Sequence, residues 1–453
     1  MTEAKQSAYG KLGLFATKAF KAGDEILVES PVVVLASSTA EKQRKPETSI
    51  KMVPESIDDD LLGTFRSMIT VGKSWIGNSE KKGTEILDLY FPTAESSSKV
   101  EDRIRHVAKE ALQHLQKTTK RTEDWETVEK VMLVWACNSF QGGRIYLKIS
   151  RANHSCDPNS VIQAKGDDQK MLAATDIDVG DEITISYLGY MLYTETEVRR
   201  EKLRKTKFFH CECTRCVGED VAARIPCPSD HPREHQRSLD EDAQYDDDHT
   251  VKYIYASSES SALENFEKLK KAMAVVTSRV ATFLDEQESA KEKKTEDNDS
   301  NEEILEEQLG VARTVMGDKH WTTNLLLLLF LDRRLSQISS TMLTTQQIPE
   351  MEDVAEIIDY LQRLYPYVES LKLKLHPGHI LGDAIIGTAR TLVSLGDIKS
   401  QKYGAEWLEK ITDYVDKFES EGRQKVVSTL SVAWKKHDRE SSDDGAKAKK
   451  QKS

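Results

Sequence analysis

The sequence predicts an α+β chain: one β domain, split by a helical and polar insertion, followed by an all-α C-terminal region. Three observations lead there. Residues 10–35 alternate turn residues with β-branched runs, and the same grammar returns at 144–187 after a long interruption. Beyond residue 311, apolar residues recur at helical spacing.

The first β half is read from Gly10-Lys-Leu-Gly13-Leu-Phe-Ala, Lys21-Ala-Gly-Asp-Glu, Ile26-Leu-Val and Pro31-Val-Val-Val-Leu35. These are short antiparallel strands joined by tight turns. The second half comprises Arg144-Ile-Tyr-Leu-Lys-Ile149, Ser160-Val-Ile-Gln, Met171-Leu-Ala-Ala and Asp178 to Tyr187. Between them, a polar stretch from Ser37 to Pro92 precedes two helical patterns. Ser98-Lys-Val-Glu101 has the form of a capping box, after which Val100, Ile104, Val107, Ala111 and Leu115 share one face. The second helix should run from an N-cap at Thr122 to Phe140, and an insertion of this size belongs on the rim of the β domain.

After Cys216 the composition changes. Residues 225–249 are rich in Pro, His and Asp and read as a loop, while residues 285–307 carry 11 acidic and 3 basic side chains, the composition of a solvated linker. Helices are expected over Trp321–Ile338, Val354–Leu375, Ile380–Leu395, Trp407–Phe418 and Val426–Trp434, a helical-hairpin array of the tetratricopeptide (TPR-like) kind with a degenerate repeat. The Leu325–Leu331 run reads as a buried helix face, His376-Pro-Gly-His379 as a helix-to-helix turn, and Lys447–Ser453 as a solvated tail.

Composition sets outer bounds. With 64 Lys plus Arg against 76 Asp plus Glu, the formal charge of −12 argues against a generally basic nucleic-acid binder. No apolar run approaches the roughly 18 residues of a membrane span, and the N-terminus lacks the basic and apolar regions of a secretory signal. The expectation is an intracellular protein, in nucleus and/or cytoplasm, with reduced cysteines. Of its six cysteines, Cys211, Cys213 and Cys216 crowd into six residues, a spacing that suits a tetrahedral zinc lacking one ligand. Cys137, Cys156 and Cys227 are the candidates to complete it. Cys227, His231 and His235 could hold a second metal, although Pro226, Pro228 and Pro232 favour an irregular loop.

Three motifs fall in order across the split β domain: Gly-Lys-Leu-Gly-Leu-Phe-Ala at 10–16, Arg-Ala-Asn-His-Ser-Cys-Asp-Pro-Asn at 151–159, and Gly-Asp-Glu-Ile-Thr-Ile-Ser-Tyr at 180–187. The Cys-x-Cys-x-x-Cys cluster follows. This combination resembles the SET-domain lysine methyltransferases, most closely the SET-and-MYND (SMYD-like) branch. Tyr187-Leu-Gly-Tyr-Met, Glu197 to Leu203 and Phe208-Phe-His-Cys-Glu-Cys-Thr-Arg-Cys216 are similar to that branch almost throughout. The resemblance covers residues 9–35 and 130–218, and more loosely the helical C-terminus. It departs in one major respect: no cysteine lies between Met1 and Ala136, so the MYND zinc finger is missing.

The resemblance implies a divided chain. The SET N-terminal half is 1–36, the insertion 37–130, the SET C-terminal half 131–207 and a post-SET zinc segment 208–220. An acidic loop and linker with a helix spans 221–310, the TPR-like domain 311–437 and a disordered tail 438–453. It also implies protein-lysine N-methyltransferase activity with S-adenosylmethionine as methyl donor and one structural zinc. Methyl transfer to an amine is an in-line displacement, so donor and neutral amine must meet head-on away from water. Tyr187 matches the catalytic tyrosine, which orients an amine whose ordinary pKa is about 10.4 and which burial helps to neutralise. Lys11, Leu12 and Gly13 match the first cofactor loop, usually Gly-x-Gly, so Lys11 and Leu12 would act through backbone atoms. Asn153 and His154 match the pair that holds the cofactor's amino-acid end and ring nitrogens, and Asn138 a further cofactor position. Phe209 matches the aromatic ring stacked on adenine, with Phe208 the alternative. Cys156 would join Cys211, Cys213 and Cys216 on zinc.

The substrate class implied is a basic protein such as a histone, with a protein partner on the helical domain and neither nucleic acid nor membrane bound directly. The alternatives on the same fold are a catalytically weak SET protein serving as an interaction scaffold, and methylation of a non-lysine side chain such as His.

Overall fold

A computed structural model describes residues 2–8, 12–34, 56–58, 61–77, 83–93, 99–120, 123–140, 143–223, 298–345, 351–395 and 398–431, with 54, 225–226, 250–251, 271 and 275 besides. The chain divides into two compact units, residues 1–189 with 197–214, and residues 190–196 with 215–453.

In the first unit, strands that are distant in sequence pair across the interruption. β1 (Thr2–Gln6), not anticipated from the sequence, pairs antiparallel with β2 (Leu12–Ala16). β2 pairs antiparallel with β9 (Glu182–Ile185), which runs parallel to β6 (Asn153–His154). A second sheet places β3 (Glu25–Glu29) beside β8 (Asp168–Ala173), itself paired with β7 (Ser160–Lys165). A third joins β4 (Val33–Val34) to β5 (Arg144–Ile145). Alternation decides which faces are buried: Ile183 and Ile185 of β9 point into a core with Leu14, Phe20, Ile26, Tyr146 and Met171. Glu182 and Thr184 occupy the opposite face and are free for polar work. Gly180, at φ 92°, turns the chain into β9 through the left-handed region that glycine enters without steric cost.

The insertion makes a core of its own. Helix α1 (Leu62–Gly77) lies inside the stretch that reads as merely polar, and it packs on α2 (Lys99–Thr118) and α3 (Trp125–Asn138). Phe65, Met68, Trp75, Ile104, Leu115, Val131 and Val134 are all buried there. The Ser98 end of the expected capping box lies outside the described residues, while Glu101 accepts a hydrogen bond from the Tyr90 hydroxyl. The N-cap of α3 is Asp124, not Thr122: its carboxylate accepts from the Thr127 N–H at 3.2 Å, satisfying an otherwise unpaired first-turn donor. Helix α4 (Thr196–Lys207) and the short α5 (Thr214–Val217) follow the second β half.

The second unit is helical: α6 (Asn298–Met316), α7 (Trp321–Thr345), α8 (Met351–Ser370), α9 (Gly378–Ser394), α10 (Ile398–Glu409), α11 (Thr412–Phe418) and α12 (421–431). Each of α6 to α9 packs on the next, and α9 also meets α10 and α11. The acidic run read as a linker is in part the start of α6. Leu325, Leu326, Leu327, Leu328 and Leu331 are buried, as expected of a core helix face. His376 and Pro377 close the expected connection and Gly378 and His379 open α9, with the Gly378 N–H donating to His376 Nδ1 at 2.9 Å. No helix among the described residues is long and apolar enough to cross a membrane. The Cys227, His231 and His235 positions and the 447–453 tail lie outside the described residues.

Candidate active site and metal centre

The site is assembled where β6 runs beside β9 and the chain leaves β9. Tyr187 follows the strand directly, and its N–H donates to His154 Nδ1 at 3.1 Å. Because Nδ1 accepts, the His154 proton resides on Nε2, which faces Cys156 Sγ at 3.2 Å. One hydrogen bond thus fixes the tautomer and aims the other ring nitrogen at a sulfur. The Tyr187 hydroxyl donates to the Ala152 carbonyl at 2.7 Å. Its only proton is spent, so the oxygen presents lone pairs to whatever comes next to it. Burial, followed by the Cys137 and Glu182 charges, pushes the Tyr187 phenol well above its ordinary range, and the phenol stays protonated.

Phe209 arrives from the far side. Its ring centroid is 6.0 Å from that of His154 and 6.4 Å from that of Tyr187, the latter pair edge-on, and His154 and Tyr187 are 5.2 Å apart. Phe209 is half-buried, so part of its surface is open to a flat ligand, whereas Phe208 is buried in the insertion core. Of the two, only Phe209 belongs to the aromatic group.

Asn153 and Gly13 meet through a residue that the motif reading quoted but gave no role. Glu182 accepts from Asn153 Nδ2 at 2.6 Å and from Ser7 Oγ at 2.9 Å. A Cβ on Gly13 would collide with Glu182 Oε1 and come within 2.9 Å of Asn153 Nδ2. Glycine at 13 leaves room for the Glu182–Asn153 bridge, and a larger residue would have to push the carboxylate end of Glu182 and the Asn153 amide aside. Asn159 supports the same strand, donating to the Glu182 carbonyl at 2.9 Å and accepting from the Thr184 N–H at 2.8 Å. Gly13→Ala should therefore cost about 1–3 kcal/mol as an overpacking substitution and lower the melting temperature by several degrees, measurable by thermal denaturation.

The remaining predicted positions are less involved. Leu12 begins β2 and is largely exposed, and Lys11 lies outside the described residues. Asn138, buried at the end of α3, donates its amide hydrogens to the Tyr90 and Val134 carbonyls, each at 2.7 Å. Its nitrogen is thus committed to holding the helix end, and only its amide oxygen remains for a ligand.

Cys156, Cys211, Cys213 and Cys216 are all buried, and their sulfurs lie within 4.8 Å of one another. Cys156 and Cys211 sulfurs are 4.0 Å apart, close to the roughly 3.8 Å edge of a tetrahedron with zinc–sulfur bonds of about 2.3 Å. The Cys156 N–H points at Cys213 Sγ, 3.4 Å away. With the His154 N–H on Cys156 as well, these donors suit thiolates better than thiols, since a metal-bound sulfur carries charge to be solvated. Four buried sulfurs with N–H donors fit a structural zinc with no open position.

A family model and curated relatives match part of this chain. Residues 11–188 match the SET domain family. Human "Histone-lysine N-methyltransferase SMYD3" is 38% identical over 128 residues, 26% of this chain and 28% of that protein. Rat "N-lysine methyltransferase SMYD2" is 39% identical over 82 residues, 18% of each chain. A solved structure described as the SET domain of LSMT bound to lysine and AdoHcy covers 84% of this chain and 86% of its own, at 11% identity and a TM-score of 0.27. Residues 11–188 thus match a SET domain, and part of the chain is similar to proteins of the SMYD branch. The matched segments span under a third of the length of these two curated relatives.

Proposed function

We propose that this chain is a protein-lysine N-methyltransferase that uses S-adenosylmethionine, keeps one structural zinc on Cys156, Cys211, Cys213 and Cys216, and carries a TPR-like helical domain for a protein partner. The observation that carries the reading is the half-buried Tyr187, its hydroxyl protonated and bonded to the Ala152 carbonyl, with His154 and Phe209 beside it. The residues present fit the methyl donor: Phe209 offers a partly open ring for adenine, and the Asn153–His154 strand edge and the Gly13 backbone offer main-chain partners. When bound, the donor supplies an electrophilic methyl group on a sulfonium. The protein's share is to exclude water, favour the neutral amine by burial, and let the Tyr187 oxygen accept a hydrogen from the incoming amine so that its lone pair is aimed. Isothermal calorimetry with S-adenosylmethionine, followed by mass spectrometry of a cell extract incubated with labelled donor, tests the reading. Failure to bind the donor would overturn it.

A net charge of −12 supports a basic protein segment as substrate, in nucleus and/or cytoplasm. Methylation of a histone tail should slow as salt rises through KM more than kcat, because the Debye length is about 8 Å at physiological ionic strength. Salt-independent capture would refute the charge argument alone.

A further inference from the structure

One lysine of the chain already meets the conditions set for an acceptor. Lys207 is the last residue of α4, and its Nζ lies 5.6 Å from the centroid of the Tyr187 ring. Among the described residues no carboxylate pairs with it. Burial lowers its pKa, partly opposed by the nearby Cys137, so the neutral amine is more available than at the surface. Its neighbour Lys205 is exposed.

The backbone keeps Lys207 there. The next residue, Phe208, adopts φ 64°, a left-handed conformation that a bulky side chain enters only at a cost, and its own side chain is locked in the insertion core. The helix end is thereby held, and the flexible stem of Lys207 alone sets where its amine goes. A half-buried amine over the ring of the tyrosine that orients amines is an acceptor in place.

We infer that Lys207 is a methyl acceptor in cis, modified by the same chain's Tyr187 site. This rests on the proposed methyltransferase function. The Lys207 nitrogen lone pair forms the new N–C bond while the S–CH3 bond of S-adenosylmethionine breaks with its electrons left on sulfur. The products are S-adenosylhomocysteine and a methylammonium, which loses a proton to water before any second transfer. Tethered to α4, the product cannot leave, and the modified chain retains it.

The test uses the full-length chain and S-adenosylmethionine bearing a trideuteromethyl group, which separates new methylation from any acquired during expression. Peptide mass spectrometry should find the label on Lys207, at a first-order rate independent of protein concentration. The label at that peptide should be lost in Lys207→Arg, which keeps the charge, and in Tyr187→Phe. A second readout needs no turnover: saturating S-adenosylhomocysteine should abolish acylation of Lys207 by an amine-reactive ester and leave Lys205 reactive. Label on an added basic protein but none on Lys207, a rate that rises with chain concentration, or equal acylation with and without S-adenosylhomocysteine would each overturn the inference while the methyltransferase reading stands. A chain that binds no donor and labels nothing would overturn both.

Discussion

Tyr187→Phe should lower turnover by about 100-fold or more while leaving the affinity for S-adenosylmethionine nearly unchanged, the pattern of an interaction made in the transition state. The argument is geometric. The hydroxyl proton is already given to the Ala152 carbonyl, so the oxygen can only accept from an amine, and burial keeps the phenol protonated. Removing the oxygen removes the orienting acceptor and leaves the ring in contact with His154 and Phe209. The tyrosine is not expected to act as a base, so ionisation of its phenol should leave no inflection in the pH–rate profile near the ordinary value of about 10. Single-turnover kinetics with calorimetry in parallel checks both halves, and full activity in the variant would exclude Tyr187 from the role.

The second large effect concerns metal. Elemental analysis should give one zinc per chain, and Cys211→Ser or Cys213→Ser should abolish it, because three sulfurs cannot close a tetrahedral structural site. Metal binding in small zinc domains contributes about 10 kcal/mol or more, and in a folding unit of about 200 residues, the size of the first unit, each kcal/mol is worth about 2–4 °C. A fall in melting temperature exceeding about 10 °C follows even if only part of that energy is realised. Donor affinity should fall with it, since Phe209 is two residues from Cys211 and depends on that loop for its place. No zinc, or two, would show the ligand set to be wrong.

The grouping of the candidate site was legible in the sequence because its residues come in short runs: Asn153, His154 and Cys156 in one, Tyr187 closing another, Phe209 and three cysteines in a third. The pairing of β6 with β9 brings the first two runs together, and the chain after α4 returns the third to them. What escaped was long-range. Glu182 stood inside a quoted motif, yet nothing local says that Ser7 and Asn153 converge on it from opposite ends of the domain. Lys207 ends the run Arg-Lys-Thr-Lys, which reads as a solvated face, and only the turn at Phe208 distinguishes it. Helix α1 was hidden because Arg66, Lys73 and Ser67 dilute the apolar residues that it buries, and β1 because its residues are mostly exposed and polar. The N-cap moved from Thr122 to Asp124 because the carboxylate is placed to accept from the Thr127 N–H.

The two consecutive phenylalanines have a consequence for how the insertion could be altered. Phe208 is embedded with Phe65, Trp75 and Leu115, and Phe209 stands beside His154. A left-handed residue permits little play between them, so the insertion holds one end of a short lever whose other end is the aromatic wall of the site. Loosening the insertion core should then weaken the donor's hold, and by thermodynamic reciprocity a bound donor should stiffen the helical bundle behind it. The polar segment interrupting the β domain would in that case be a governor of ligand occupancy, and natural variation in its packing could retune the enzyme without altering any residue of the reaction centre.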